Sequence, residues 1–162
     1  MSMIDFNTRL TPSAQAFTST GAVSTDAFPL TQTGRDFLAG EPMAMVFSVT
    51  VSALTTGTTS YTFQAQTATA SDGTTGAIKI ATTPAYVFSS GTLANRDDVL
   101  EAGTQVVLAL PPGHIMSTAT HLAGFVLMAN GSPTITCLID IMPLRLASQK
   151  YVSYADGRTF AA

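Results

Sequence analysis

Apolar and polar side chains begin to alternate directly after Gly40-Glu41-Pro42. Met45, Phe47, Val49 and Val51 fall on one face and Ala44, Val46, Ser48, Thr50 and Ser52 on the other, the period-two pattern of a half-buried strand. Thr55-Thr56-Gly57-Thr58-Thr59 turns the chain, and Tyr61, Phe63, Ala65 and Thr67 then alternate with Thr62, Gln64, Gln66 and Ala68 in a second strand. Ser71-Asp72-Gly73 supplies the next turn, the glycine giving positive φ at no steric cost. Shorter strands are predicted at Ala77–Ile80 and Ala85–Phe88, with Pro84 at a bend or an edge between them. Thr104–Leu110 sets Val106, Leu108 and Leu110 on one face and stops at Pro111-Pro112-Gly113. Residues 120–129 and Thr134–Met142 are the last two strands, and on the second Ile135, Cys137, Ile139 and Ile141 alternate with Thr136, Leu138 and Asp140. Asn130-Gly131 between them is the strongest two-residue hairpin signal in the chain, so the two are predicted to pair.

Residues 1–40 have no such period. Ile4, Phe6, Leu10, Phe17, Phe28, Leu30 and Phe37 are isolated among Thr, Ser, Gly and Pro, which reads as an extended arm. An arm of this kind orders only by lying on something else, its own barrel or a neighbouring subunit. The expected organisation is an arm over 1–40, a β-sandwich over 41–143 and a tail over 144–162. Seven or so short strands, turn chemistry between them and almost no helical periodicity place the chain in the all-β class, as an antiparallel jelly roll or β-sandwich. A length of 162 residues suffices for one core.

Composition narrows the function. Charged residues are 10% of the chain and hydrophobic residues 46%, against roughly 25% charged in an average globular protein. That excludes disorder, which needs low hydrophobicity and high net charge. A net charge of −3 without a basic cluster argues against nucleic acid as a partner. Across residues 42–95 the formal charges are Asp72 and Lys79 alone. Surfaces this poor in charge favour association, so other subunits or a neutral, hydroxyl-rich exterior are expected. No run without a polar side chain exceeds the length of Leu122–Ala129, far below the ~20 residues that span a bilayer, so no membrane partner is expected. Met1 to Arg9, with acidic Asp5 and no apolar run, does not read as a secretory signal.

Candidate chemistry is sparse. Lone Cys137 forbids an internal disulfide or a Cys-based zinc site, and its place in an alternating strand predicts a buried apolar residue. His114 and His121 stand in no nucleophile-elbow, metal or kinase motif and read as surface side chains. Asp97, Asp98 and Glu101 sit too close in sequence to act as an acid and a nucleophile across a cleft, and match no calcium loop, so they read as a solvated acidic turn. Asn130-Gly131-Ser132 fits a glycosylation sequon but reads first as a turn. No catalytic residue, cofactor, metal or small-molecule substrate is expected.

The arm beginning Met3-Ile4-Asp5, the Gly40-Glu41-Pro42 entry to the first strand, the segment Ala102-Gly103-Thr104-Gln105-Val106-Val107-Leu108-Ala109-Leu110-Pro111-Pro112-Gly113 and the closing Tyr154-Ala155-Asp156-Gly157 resemble, in order and spacing, the capsid cement (decoration) proteins of short-tailed phages of the Bordetella-phage type. The resemblance runs over most of the chain. It implies a jelly-roll subunit of the virion, a homodimer or other small homo-oligomer with a dimer favoured over a trimer, bound outside the head and stapling neighbouring major capsid proteins. The arm is then the expected clamp, with Ile4, Phe6, Leu10 and Phe17 as apolar anchors. Deleting residues 1–17 is expected to leave a folded barrel that no longer binds heads. Arg96, Asp97, Asp98 and Glu101, a dense mixed-charge patch in a charge-poor chain, are assigned to intersubunit salt bridges. A receptor- or glycan-binding β-sandwich module of a spike or tail is the alternative, weakened by the lack of Trp and by the scatter of Tyr61, Tyr86, Tyr151 and Tyr154. A β-sandwich hydrolase using His114 or His121 is the third reading.

Overall fold

The computed structural model describes residues 9–18, 21–30, 42–53, 59–88, 100, 102–111, 119–129, 134–145 and 147. In chain order its strands are β1 (Gln15–Phe17), β2 (Gly21–Val23), β3 (Phe28–Pro29), β4 (Met43–Ala53), β5 (Thr59–Ala68), β6 (Ile78–Thr82), β7 (Tyr86–Phe88), β8 (Gln105–Ala109), β9 (His121–Ala129) and β10 (Thr134–Pro143). From β4 onward every strand lies where alternation predicts it, within a residue or two.

The strands form two antiparallel sheets. The first has the order β1-β10-β4-β8; the second has β2-β9-β5-β6, with β3 also against β9 and β7 also against β5. The chain crosses repeatedly from one sheet to the other, from β1 to β2, β3 to β4, β4 to β5, β7 to β8, β8 to β9 and β9 to β10. This is the interlocked Greek-key path of a jelly roll.

The path overturns the expected hairpin at Asn130-Gly131. Strands form on both sides of it, but β9 pairs with β2, β3 and β5 in one sheet while β10 pairs with β1 and β4 in the other. Asn-Gly itself lies outside the described residues. Turn chemistry is local, whereas the partner of a strand is chosen by the long-range burial of both its edges, and here β4 and β5 offer the longer ladders.

Residues 9–30 are not separate from the sandwich. Two of its edge strands, β1 and β2, come from this segment, so its described part lies on its own barrel and the structural unit begins well before residue 41. Both are three residues long and flanked by Ser, Thr and Gly rather than by continued alternation, so the pattern conceals them.

Between the sheets, Met45, Phe47 and Val49 of β4 and Ile135, Cys137, Ile139 and Ile141 of β10 meet Tyr61 and Phe63 of β5 and Leu122 and Val126 of β9. The Phe47 and Phe63 rings lie 5.1 Å apart between centroids, and Tyr86 meets Phe63 edge-on at 5.8 Å. Gly124 faces this layer: a Cβ there would stand 3.0 Å from Ile139 Cδ1 and 3.2 Å from Met45 Sδ, so glycine allows the sheets to approach. On β4 the register slips where Val51 pairs with Thr136 and Val49 with Cys137, making Thr50 the extra residue of a bulge. Val51, expected on the core face, is consequently turned outward and exposed. Ala44 and Val46, on the outer face of β4, are buried by Met142, Leu144 and Ala147.

Candidate interaction surface

Among the described residues, His121, Cys137 and Asp72 are each engaged in the fold. Thr120 Oγ1 donates to the Thr69 carbonyl, so in its 2.7 Å contact with His121 Nδ1 the ring is the donor. Cys137 is fully buried, and loss of solvent pushes its thiol pKa up to about 12, which keeps it protonated and unreactive. Asp72 accepts from the backbone N–H groups of Thr74 and Thr75 and from Thr75 Oγ1 at 2.6 Å. The Thr75 hydroxyl, followed by the two N–H groups, holds this carboxyl well below the usual carboxylate range. Among the described residues no three His, Cys, Asp or Glu side chains stand together as a metal site would require. His114 lies outside the described residues.

Of the contact residues named from the sequence, Ile4, Phe6, Arg96, Asp97, Asp98 and Glu101 lie outside the described residues. Leu10 and Phe17 do not serve as outward anchors in this fold. Both are buried in the chain's own core, Phe17 on β1 opposite Ile135 and Leu10 held by its N–H donating to the Ile139 carbonyl at 2.8 Å. Sequence alone leaves own barrel and neighbour equivalent as burial sites; the register with β10 selects the barrel.

Two residues that the sequence did not single out, Arg9 and Asp140, form a surface ion pair, Nε to Oδ1 at 2.9 Å, beside β10. Residues 9–12 and 26–29 enclose a shallow cleft of about 440 Å³ next to it. Beyond this pair the outer face of the first sheet is neutral: Thr136 and Leu138 of β10, Val51 and Ser48 of β4, and Gln105, Val107 and Ala109 of β8. The only legible sign of it is the want of charge in the sequence. The outer face of the second sheet is partly roofed by the β5–β6 connection, where Gly73, with φ +69°, lies against Ala123 and Val23 and its carbonyl accepts from buried Gln66 Nε2 at 2.6 Å. A Cβ at Gly73 would come within 2.8 Å of the Ala123 Cβ, so the roof requires glycine.

The edges differ in how they are guarded. β1 and β2 are three residues long and β3 ends in Pro29. β6 carries Lys79 and a register slip, and Pro84 follows it. β8 has five residues in unbroken register with β4 and neither charge nor proline. Short length, bulges, lysine and proline are the usual devices against strand pairing, and β8 has none of them.

Among the described residues the barrel thus presents a neutral sheet face, the exposed Arg9–Asp140 ion pair and a regular edge strand, β8. No curated protein matches the chain. A family model matches residues 11–121, which run from just before β1 to the first residue of β9, and by that match the chain belongs to the Bbp16 family, a family of Bordetella phage proteins.

Proposed function

We propose that the protein is a capsid decoration, or cement, protein that binds the outside of the phage head and staples neighbouring major capsid proteins, acting as a small homo-oligomer and catalysing no reaction. The observation that carries this reading is the charge-poor exterior of a jelly roll in a phage protein family. Neutral faces lose little hydration on contact, and a standard interface of ~1,600 Å² repeated at every capsomer junction turns modest single-site affinity into firm attachment. Ile4 and Phe6 in the first eight residues, and the Arg96, Asp97, Asp98 and Glu101 cluster, are the proposed contacts with the capsid or with neighbouring copies.

The test is the copy number of the chain in purified particles, by quantitative mass spectrometry against the major capsid protein. A fixed stoichiometric fraction, hundreds of copies per head, is the expected result. A handful of copies would move the role to a vertex or tail, and absence from particles would overturn it.

A further inference from the structure

We infer that β8 is a self-association edge: two copies pair β8 with β8 in antiparallel register centred on Val107, joining their first sheets into one. The inference deepens the association proposed above by naming its surface.

The backbone geometry fixes which groups are available. Val49 N–H donates to the Thr104 carbonyl and Leu110 N–H to the Met43 carbonyl, both at the β4 side of β8. In an antiparallel ladder successive residues turn their backbone groups to opposite sides, so Thr104, Val106, Leu108 and Leu110 face β4. Gln105, Val107 and Ala109 therefore direct their N–H and C=O groups to the outer edge, where no described strand pairs with them.

A second copy is the occupant that this edge fits. Two identical strands run antiparallel about a two-fold axis satisfy each other's outward groups without any change of sequence, which is the self-complementarity of an isologous contact. Val107 then exchanges both hydrogen bonds with the partner's Val107, and Gln105 does so with the partner's Ala109. Within the paired strands no like charges meet, because β8 has none, and the Arg9–Asp140 pair lies toward the opposite edge of the sheet. Apolar surface supports the joint on both layers. Val107 is 39% exposed on the first sheet, and Ile78, 44% exposed, lies on β6, which packs beside β8 at the same flank.

Val107→Pro is the decisive variant. Its missing N–H points away from β4, so the intramolecular ladder is kept, while proline at an edge blocks pairing across it. Light scattering and sedimentation over a range of concentrations should find the wild-type chain dimeric. The variant should be folded by circular dichroism but monomeric, with dissociation at least about a hundredfold easier. Should the proline variant fail to fold, Val107→Lys reads the same contact through charge repulsion.

Register is tested separately with a short bifunctional thiol reagent, the buried native Cys137 being unavailable to it. Val107→Cys should cross-link to its own copy across a Cα separation of ~5.5 Å. Ala109→Cys alone, two residues from the axis on each strand, should not. A monomeric wild-type chain would overturn both the edge and the proposed homo-oligomer. A dimer that survives Val107→Pro and Val107→Lys, or Ala109→Cys cross-linking as well as Val107→Cys, would overturn the edge alone. The copy number on heads is independent of either result, so decoration and self-association fail separately.

Discussion

The flank closed by residues 9–30 and the flank formed by β6, β7 and β8 are the two sides of the same pair of sheets, finished in opposite ways. On the first, side chains tie one sheet to the other. Gln15 of β1 donates from Nε2 to the Val23 carbonyl of β2 and accepts at Oε1 from Thr25 N–H and Oγ1. Ile139 N–H donates to buried Thr11 Oγ1, and Asp26 N–H to the Leu10 carbonyl. On the second flank β6 carries a register slip and Lys79 and β7 is three residues long, but β8 keeps a regular backbone, and Ile78 on β6, Val87 on β7 and Val107 on β8 are exposed apolar side chains. A jelly roll has edges that must be covered or disarmed. This chain disarms the whole first flank with short strands and leaves one regular strand, β8, on the second, and association is expected there.

The largest test of the contrast is truncation. Removing residues 1–17 deletes β1 together with Leu10 and Phe17, and buried Leu and Phe side chains are each worth about 2–5 kcal/mol, against a total stability of about 5–15 kcal/mol. The shortened chain should lose its cooperative thermal transition, contrary to the sequence-based expectation of a surviving barrel. Removing residues 1–8 should leave the transition in place and is the correct truncation for testing head binding. Equal melting of both would show that the first flank is an appendage after all.

Single substitutions sharpen the same point. Phe17→Ala should lower stability by about 3–5 kcal/mol in urea unfolding, whereas Val87→Ala on the opposite flank should change it by no more than about 0.5 kcal/mol. Similar costs at the two sites would erase the distinction between a built flank and an open one.

What the sequence reveals follows the range over which each signal acts. The strands β4, β5, β8, β9 and β10 are legible because alternation is a property of neighbouring residues. The first flank is not, because β1 and β2 owe their existence to β10 and β9, more than a hundred residues away. Asn130-Gly131 fails for the same reason. Compare the β5–β6 connection, where Ser71-Asp72-Gly73 does join strands of one sheet, with Thr69 N–H donating to the Thr75 carbonyl. Both segments carry turn chemistry, and only the pairing of distant strands separates a hairpin from a crossing. The outward rotation of Val51 depends on a bulge that no local residue announces. Of the contact surface, neutrality is legible and location is not: the sequence favours the arm, and the structure places two of its four apolar anchors inside.

A smaller effect tests the bridge itself. Gln15→Ala removes the donor to the part-buried Val23 carbonyl and the acceptor of the exposed Thr25 N–H, which water can replace, at a cost of about 0.5–1.5 kcal/mol. The loss should be local. Hydrogen exchange at Ala22 and Val23 should quicken more than exchange at β6, and uniform acceleration over both sheets would mean that Gln15 supports the whole barrel rather than its flank.

The smallest effect separates the two flanks by pH. The Gln15 bridge has no titratable group, but the connection that delivers the chain into β6 hangs on Asp72, whose hydrogen bonds hold its carboxyl below the ordinary value of about 3.9. A carboxyl depressed by folding contributes stability that is fully present above its unfolded pKa and is lost as pH falls through the acid range toward the folded pKa. Protection factors at Ile78–Thr82 should therefore drop on acidification before those at Gln15–Phe17 do, and Asp72→Asn should flatten that difference. Because the carboxylate faces solvent, the change is confined to this loop and the strand it feeds. Parallel acid loosening of β1 and β6 in the wild-type chain, unaltered by Asp72→Asn, would show that a group shared by both sheets governs it, and that the β5–β6 loop is held by Gly73 and its packing on Ala123 instead.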